Sequence, residues 1–514
     1  MTNFREDGQT NHPATAMHVH DILAAATLER DAATPLFRQL YAHMKAAILD
    51  GRIGAGVRLP ATRTLCALLG VSRPTVLAAY EQLMAEGYLE GTVGKGTFVS
   101  ASLPAQGQPT QEAPPQLLRP LSPRGELIAG GMARVLYHAG PLRAFRPSMP
   151  GLDLFPFDVW RRLEARHWRH STDRLGYGPG AGHAPLRELL CAYLKASRGV
   201  QCTPDQVVIT SGSQQALYLL AQLLLAPGEA MWIESPGYQG AVAPFTVAGA
   251  RICPVPVDAE GMDVAYAAER YPDARLAFVT PSHQLPLGVT MSLRRRLDLL
   301  RWAEANRAWI VEDDYDSEYR HTGPPLASLQ GMDRAGSVIY VGTLSKVLFP
   351  ALRLGYVVAP PALAAALARA KAVVDRHSPI VPQATLADFI AGGHFARHIR
   401  RTRDAYGERR LALIEALDAR MKGRLRQGPS DAGLDVCVHF TEALDEETVA
   451  RHARDLGIDV RTLGYYTNPA AGPDCAVAPG LLLGFSAFTP EAIRAGVAGL
   501  EQAIGRATRQ CASK

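Results

Sequence analysis

A lysine flanked by hydroxyl-bearing residues follows an apolar run in the segment Tyr340-Val-Gly-Thr343-Leu-Ser345-Lys346, and Arg353 comes seven residues later. The amine of a lysine can form an imine with an aldehyde, and hydroxyl and guanidinium groups bind phosphate. An isolated lysine usually lies on the surface, so its neighbours carry the argument. They favour Lys346 as a reactive amine, with phosphate ligands beside it.

A second polar group follows the apolar run Trp309-Ile-Val-Glu312, where the chain continues Asp313-Asp314-Tyr315. In open α/β sheets, ligands bind at the C-terminal ends of strands. A carboxylate placed against a pyridine nitrogen and a phenol near a ring oxygen would suit an aromatic cofactor there. An acidic loop would explain the same residues, and this segment alone leaves both interpretations open.

A third segment, Val207-Val-Ile-Thr-Ser211-Gly212-Ser213-Gln214, ends a strand-like run in small residues and opens a helical stretch. The first backbone amides of a helix attract anions. A plain strand-to-helix turn would look the same. Taken with the lysine and the carboxylate, however, the segment completes the parts that a pyridoxal 5'-phosphate site requires, so the sequence predicts this cofactor.

These segments lie in an alternating pattern of apolar strand-like runs, such as AMWIES and LAFVTP, and helical stretches, such as QQALYLLAQLLL. This alternation predicts an α/β fold whose mostly parallel sheet has helices on both faces.

The preceding part of the chain has a different pattern. The spacing of Leu36, Leu40, Met44 and Ile48 predicts an amphipathic helix, and two further helical segments, TRTLCALLG and PTVLAAYEQLMAEG, are separated by a short break. A break of this length is typical of helix-turn-helix units. Two strand-like pieces around a glycine-rich turn follow and predict a β wing.

Ser72 is expected to cap the third of these helices, with Pro74 near its first turn. The predicted inner face of that helix consists of Val76, Leu77, Tyr80 and Leu83.

The 514 residues exceed one ordinary domain. We expect a loose leader over residues 1–30, in which HDILAAATLE could form a short helix, a DNA-binding domain over 31–100, a proline-rich linker over 101–125 and a cofactor-binding domain over 126–514.

Composition excludes several classes of protein. No apolar run is long enough to span a bilayer, and the N-terminus lacks the apolar region of a signal peptide, so the expected location is the cytoplasm without a membrane role. Seven scattered cysteines without a C-x-x-C pair argue against disulfides and a structural zinc site, and no metal is predicted. A net charge of +5 is too small to argue for nucleic acid by itself.

The first domain resembles the winged helix-turn-helix of the GntR family, with the pattern LPATRTLCALLGVSRPTVLAAYEQLMAEG followed by GKGTFV. The resemblance implies DNA binding by Arg63, Arg73, Thr75 and Gly96, and Arg58, Arg63 and Lys95 would contact phosphates. Any one of these cations alone would be an ordinary solvated charge. Ala61 and Pro74 depart from the family's usual Ser and Asn, which leaves the base preference open.

The second domain resembles fold-type I aminotransferases over residues 145–500. Its segments ESPGY, TPSHQ, EDDYDSE and TLSK resemble the MocR subgroup of GntR regulators. The resemblance implies that Lys346 forms the imine with the cofactor, Asp313 pairs with the ring nitrogen, Tyr315 bonds the ring oxygen and Tyr238 stacks on the ring. It also implies a set of phosphate ligands: Ser213, Gln214, Thr343, Ser345 and Arg353.

Two further residues carry implications from the same resemblance. His283 is expected beside the cofactor, with its partner undetermined and a structural histidine as the alternative. Tyr177 matches a tyrosine that reaches the phosphate of the neighbouring subunit, which implies a homodimer.

The sequence departs from aminotransferases at Leu481-Leu482-Leu483-Gly484-Phe485, where those enzymes place an arginine that binds the substrate carboxylate. Arg461 lies in a nearby segment and could substitute for it, but the sequence does not settle this.

The sequence favours a transcription regulator that binds operator DNA and senses pyridoxal phosphate, or a small amine or amino acid that reacts with it. Two alternatives stay open. One is a working aminotransferase whose DNA-binding domain, the head, is accessory. The other is a DNA-binding protein whose cofactor-binding domain, the body, is inactive.

Overall fold

A computed structural model describes residues 19–92, 95–102, 119–131, 140–169, 176–323 and 326–512. The chain forms two compact units, residues 1–119 and 120–514, and each is described by itself. Most of the predicted linker, residues 103–118, and the first 18 residues of the predicted leader lie outside the described residues. The last residues of the predicted linker, 123–125, begin a helix of the second unit.

The first unit is a small helical core with a two-stranded wing. Its elements are α1 (Val19–Ala24), α2 (Leu36–Leu49), α3 (Thr62–Leu69), α4 (Arg73–Ala85), β1 (Leu89–Thr92) and β2 (Gly96–Val99). Strands β1 and β2 pair antiparallel. Ile22 and Leu23 of α1 are buried in the same core as Leu40 of α2, so the described end of the predicted leader is packed rather than loose.

The helix-turn-helix forms as the sequence predicts, with one change on the inner face of α4. Gly70 ends α3 in the left-handed conformation (φ 62°), which glycine adopts without steric cost, and Ser72 occupies the N-cap of α4. The prediction that Leu77 is buried is wrong, because Leu77 is exposed and Ala79 is buried instead. Ala79 lies three residues after Val76 and four before Leu83, so it shares the helix face of these two buried residues.

The second unit is built on an eight-stranded sheet with the strand order β3-β10-β9-β8-β7-β4-β5-β6. Its strands are β3 (Val207–Thr210), β4 (Ala230–Ser235), β5 (Arg251–Asp258), β6 (Gly261–Met262), β7 (Leu276–Val279), β8 (Trp309–Asp314), β9 (Val338–Thr343) and β10 (Gly355–Val358). The neighbours from β5 through β4, β7 and β8 to β9 pair parallel, whereas β10 pairs antiparallel with both β3 and β9. The expected α/β fold with a mostly parallel sheet is confirmed.

The helices of this unit, in chain order, are α5 (Pro123–Gly131), α6 (Phe157–His167), α7 (Ala184–Arg198), α8 (Ser213–Leu224), α9 (Gln239–Val247), α10 (Val264–Arg270), α11 (Leu293–Asn306), α12 (Leu329–Met332), α13 (Pro361–Asp375), α14 (Ile380–Ala391), α15 (His394–Met421), α16 (Glu446–Asp455) and α17 (Pro490–Ala512). Short 3-10 turns cover Leu152–Leu154, Pro204–Gln206, Pro350–Leu352, Gly464–Tyr466 and Pro473–Cys475.

Helices cover both faces of the large sheet. Successive side chains of a strand point to opposite faces, so neighbouring residues of one strand contact different helices. On β9, Tyr340 packs with residues of α6, α7 and α14, whereas Ile339 and Val341 pack with residues of α8, α9 and α13. Strands that are buried on both faces read as continuous apolar runs, which is the pattern seen in the sequence.

A second sheet, which the sequence analysis does not predict, has the antiparallel order β11-β12-β14-β13. Its strands are β11 (Leu425–Gln427), β12 (Asp435–Phe440), β13 (Arg461–Thr462) and β14 (Gly480–Gly484). Residues of α15, α16 and α17 form one core with it, and Phe145 lies in that core. The segment that contains Phe145 is therefore attached to the smaller sheet.

Among the helices that the structure describes, none is both long and apolar enough to cross a bilayer.

Candidate functional site

A cavity of about 430 Å³ lies at the C-terminal edge of the large sheet. The parallel strands β4, β7, β8 and β9 all end there, so residues distant in sequence meet at one place. All but two of the predicted cofactor residues line it: Lys346, Asp313, Tyr315, Tyr238, Ser213, Gln214, Thr343, Ser345 and Arg353. The two that do not are His283 and Tyr177.

Lys346 follows β9 and is half-buried at the cavity, where its Nζ donates a hydrogen bond to the backbone carbonyl of Ser148 at 2.7 Å. Burial lowers the pKa of the Lys346 amine, and the carboxylates of Asp435, Asp316 and Asp313 oppose that effect. A lowered pKa raises the fraction of neutral amine, which is the form that attacks an aldehyde.

Asp313, near the end of β8, presents a buried carboxylate oxygen to this cavity. No donor among the described residues bonds its Oδ1. Burial, together with the nearby carboxylates of Asp314 and Asp316, raises the pKa of Asp313 to about 7, and Lys346 opposes them. Buried polar atoms are almost always hydrogen-bonded, so this acceptor fits a protonated ring nitrogen of pyridoxal phosphate.

An anion cradle lies where β3 meets α8. Gly212 is the N-cap of α8 with a φ of 99°, and Ser213 is the first helical residue. A Cβ on Gly212 would lie 3.5 Å from the Arg353 guanidinium, so the glycine keeps the space beside that cation open. Helix amides and a guanidinium that converge in this way suit a phosphate group.

The aromatic wall of the cavity depends on Tyr238, the N-cap of α9. A Cβ on Gly240 would lie 2.3 Å from the Tyr238 ring, so only glycine leaves room for it. The carbonyl of Gly240 also accepts a hydrogen bond from Nε2 of Gln214 at 2.7 Å. The ring of Tyr238 is thus held at the cavity as a stacking surface.

His283 lies behind Tyr315 rather than on the cavity wall. Its Nδ1 is 2.9 Å from Oδ2 of Asp316 and 3.1 Å from the Tyr315 hydroxyl. Burial alone would lower the pKa of His283, but Asp316 raises it above the ordinary value. The structure therefore supplies the partner that the sequence left undetermined, and a direct contact between His283 and a cofactor stays a prediction.

Tyr177 is 90% exposed within the single chain and lies away from the cavity. The guanidinium of Arg376 lies 5.9 Å from the centre of its ring. The sequence predicts that Tyr177 acts on a neighbouring subunit, and that role stays a prediction.

Sequence reasoning missed a segment that enters the cavity from the start of the second unit, namely Arg146, Pro147, Ser148 and Met149. Ser148 has a left-handed backbone (φ 59°), which is uncommon for a residue other than glycine. The cluster of prolines and glycine in Arg-Pro-Ser-Met-Pro-Gly signals only a turn, so its chemistry was not predictable.

Arg461 lies on the wall of the same cavity. It pairs directly with Leu482 across β13 and β14. Leu482 belongs to the apolar stretch in which the sequence shows no carboxylate-binding arginine. An arginine therefore reaches the cavity from the strand beside that stretch.

The predicted DNA-binding residues lie on α3, on α4 and at the wing. Arg63 is exposed on α3, and Arg73 is the exposed first residue of α4. Thr75 is half-buried, and its hydroxyl lies 2.8 Å from that of Ser72, so the Ser72 side chain bonds Thr75 rather than a backbone amide of the helix. The N-terminal end of a second helix is the part that enters the major groove in helix-turn-helix proteins.

At the wing, Lys95 is exposed in the turn before β2. Arg58 is also exposed, and its backbone bridges to Phe98 of β2. A Cβ on Gly96, whose φ is 110°, would lie 3.0 Å from Nε of Arg58, so the arginine lies flat against the wing. The structure thus brings Arg58 and Gly96 together.

Two family models match the chain. The model for aminotransferase class I and II matches residues 149–502, and the model for bacterial regulatory proteins of the gntR family matches residues 36–99.

Individual proteins resemble the chain over most of its length. The probable rhizopine catabolism regulatory protein MocR of Rhizobium meliloti is 41% identical over 93% of this chain and 95% of the relative. The HTH-type transcriptional regulator TauR of Rhodobacter capsulatus is 34% identical over 89% of this chain and 94% of the relative.

Among solved structures, the α-aminoadipate aminotransferase LysN of Thermus thermophilus, complexed with N-(5'-phosphopyridoxyl)-L-leucine, is similar in fold. It has a TM-score of 0.66 and 28% identity, and the match covers 75% of this chain and 95% of that one.

Proposed function

This chain belongs to the MocR group of gntR-family transcription regulators, which join a DNA-binding head to an aminotransferase-like domain, and we propose that its body senses pyridoxal phosphate or an amine that reacts with it. The observation that carries the proposal is the cofactor cavity itself. Lys346, the unpartnered oxygen of Asp313 and the Arg353 cradle are all present in a chain that also carries the head.

When bound, pyridoxal phosphate supplies an aldehyde that forms an imine with an amine. The protein's own groups would then divide the work. Lys346 offers the amine, Asp313 accepts the ring N–H, and Tyr238 covers a face of the ring. The amides at the start of α8 and the Arg353 guanidinium would hold the phosphate.

Signalling requires two states of the protein that bind the ligand unequally. We propose that the regulator is a homodimer whose paired heads read an operator with two half-sites. The exposed ring of Tyr177, beside Arg376, supports a role at the neighbouring subunit. A regulator of this kind acts where the chromosome lies, so we propose a cytoplasmic location. We also keep as a proposal the division into a DNA-binding domain over residues 31–100 and a cofactor-binding domain over 126–514.

The effector end of the cavity contains Arg461, whose guanidinium carbon lies 4.4 Å from the centre of the Tyr465 ring. A guanidinium binds carboxylate and other oxyanions strongly. We therefore propose that the effector is a small amine that also carries an anionic group, with its amine directed to the cofactor and its anion to Arg461.

The decisive experiment combines absorption and DNA binding on the full-length protein. Purified wild type should show the visible absorption of an imine of pyridoxal phosphate, and Lys346→Ala should lack it. Wild type should also bind its own upstream DNA specifically, with an affinity that falls as salt rises. Wild-type protein without imine absorption, or without specific DNA binding, would refute the proposal.

A working aminotransferase is the second candidate, because the cavity retains Lys346, Asp313 and Tyr315 together. Repeated amino transfer to a keto acid by wild-type protein at physiological substrate levels would favour it. A single half-reaction without turnover would favour the sensor.

A further inference from the structure

The amine of Lys346 is held by a backbone carbonyl whose direction is set elsewhere in the protein. Nζ of Lys346 donates to the Ser148 carbonyl at 2.7 Å. Ser148 adopts a φ of 59°, a left-handed conformation that is uncommon for a residue with a side chain. Something must therefore hold Ser148 in this conformation.

Asp435 does so by accepting two hydrogen bonds from the same residue. The backbone N–H of Ser148 donates to Oδ1 of Asp435 at 2.7 Å, and the Ser148 hydroxyl donates to Oδ2 at 2.9 Å. Asp435 is buried at the start of β12, where it pairs with Gly484 of β14. The carboxylate thus fixes both ends of Ser148 and turns its carbonyl toward the lysine.

The segment around Ser148 is attached to the smaller sheet at neighbouring points as well. Gly484 donates from its backbone N–H to the Phe145 carbonyl at 3.0 Å, and the Ser486 hydroxyl donates to the Met149 carbonyl at 2.6 Å. Lys346 itself follows β9 of the large sheet. The Lys346 to Ser148 bond therefore joins the reactive amine to a support built on the other sheet.

We propose that Asp435, acting through Ser148, is a positioning residue that holds the Lys346 amine whenever an effector amine has replaced it on the cofactor. This inference rests on the proposed function. In the exchange, the effector nitrogen would form a double bond to the aldehyde carbon as the double bond from that carbon to Nζ of Lys346 breaks. The two amine hydrogens and the additional proton of the effector ammonium would pass to Nζ, which is released as an ammonium.

The charges around Nζ agree with this role. Three carboxylates face the amine from different elements: Asp313 of β8, Asp316 of the following loop and Asp435 of β12. Three arginines also line the cavity, namely Arg146, Arg353 and Arg461, and Arg146 is paired with Asp459. Asp313 is assigned to the cofactor ring, and Asp316 bonds His283. Asp435 bonds Ser148 with both of its oxygens, so it acts on a displaced ammonium through its negative charge and through the position of the Ser148 carbonyl.

The first test uses full-length protein from which the cofactor has been removed, so that it does not depend on cofactor binding. Acetylation of Lys346 by acetic anhydride is followed across a pH series by mass spectrometry of its peptide. Asp435→Asn should shift the half-maximal pH downward, because the ammonium loses a facing negative charge. Ser148→Ala, which keeps the carbonyl but loses one bond to Asp435, should shift it less, in the same direction.

Ser486→Ala is the matched control, because it loosens the same segment at Met149 without changing a charge near Lys346. It should leave the acetylation profile unchanged. In the cofactor-loaded protein, Asp435→Asn should raise the methylamine concentration that displaces Lys346 by about tenfold, because the displaced ammonium loses a facing charge. A change of this size is typical for the loss of one hydrogen bond to a charged group. The displacement is read from the absorption spectrum.

Wild-type acetylation profiles in both folded Asp435→Asn and Ser148→Ala proteins would overturn the inference. A shift equal to that of Ser486→Ala would also overturn it, because the effect would then be structural. A specific shift in a protein that never binds pyridoxal phosphate would support the holding role of Asp435 while refuting the proposed function.

Discussion

Asp313 and Asp314 are consecutive residues of β8 with opposite surroundings. Oδ2 of Asp314 lies 2.8 Å from Nε of Arg198 and accepts a hydrogen bond from the Tyr340 hydroxyl at 2.5 Å. Oδ1 of Asp313 has no donor within the described part of the chain and lies on the cavity. Because side chains alternate along a strand, one carboxylate serves the fold and its neighbour is left for a ligand.

Substituting these two residues should therefore separate ligand binding from stability. Asp313→Asn should weaken pyridoxal phosphate binding by about tenfold or more, because the ring N–H loses a charged acceptor. Asp314→Asn should lower the free energy of unfolding by about 3–5 kcal/mol, because it leaves the buried Arg198 without its charge partner. Cofactor titration and urea unfolding measure the two effects. Equal loss of cofactor affinity in both variants would contradict the assignment.

The pH dependence of stability should reveal Asp313 in cofactor-free protein. Its folded-state pKa of about 7 lies above the ordinary value of 3.8, so the folded protein holds a proton that the unfolded chain has lost between these values. The contribution of Asp313 to stability must then fall as pH rises from about 4 to 7. Burial raises the pKa of Glu234 to about 7, so Glu234 also lowers stability as pH rises, and it does so equally in wild type and in a variant of Asp313.

Asp313→Asn should consequently show a shallower fall in unfolding free energy over that range than wild type. Urea unfolding at a series of pH values measures the difference. Parallel curves for the two proteins would show that Asp313 does not carry the proton.

The phosphate cradle makes a prediction about glycine. Gly212→Ala should destabilise the protein by about 1–2 kcal/mol through its positive φ, and it should also weaken cofactor binding because the new Cβ faces Arg353. Gly228→Ala is the matched control, since Gly228 has a φ of 89° and nothing lies within 4 Å of its Cβ position.

Thermal unfolding and cofactor titration separate the two effects. Gly228→Ala should lose stability alone. Equal cofactor affinity in both alanine variants would show that Gly212 is not part of the phosphate-binding site.

Two of the residues that the sequence predicted, Lys346 and Asp313, stand at or just beyond the end of an apolar strand. Lys346 and Asp313 could be found because parallel strands deliver their C-terminal residues to one edge. Ser148 and Asp435 could not, because they are far apart in the sequence and neither stands in a local pattern that signals chemistry. Leu77 was misassigned because helical spacing alone does not distinguish it from Ala79, and packing places the smaller residue inside.

The head predicts a change in the salt dependence of DNA binding. Arg63→Ala should weaken binding to the upstream DNA and reduce the slope of log affinity against log salt by about one, because Arg63 is predicted to contact a phosphate. Arg52 offers a control in the same unit, because it is an exposed arginine paired with Asp50. Arg52→Ala should leave the slope unchanged, and equal slopes in wild type and Arg63→Ala would contradict the prediction.

Arg461 of β13 lies directly opposite Leu482 of β14, so the guanidinium that is proposed to bind the anion can be transferred from one strand to the other. Arg461→Leu should weaken displacement of Lys346 by β-alanine by about tenfold, because an oxyanion loses its guanidinium. Ethanolamine, which lacks the anionic group, should act equally on both proteins. The absorption of the imine measures displacement in each case.

The double variant Arg461→Leu with Leu482→Arg is the sharpest form of this test. It restores one guanidinium to the same cavity from the strand where aminotransferases are expected to carry theirs, so the preference for β-alanine over ethanolamine should return. Arg461→Lys should retain part of the preference, because it keeps the charge but loses bidentate geometry. If Arg461→Leu discriminates between the two amines as well as wild type does, the effector's anion binds elsewhere and the proposed effector class is wrong.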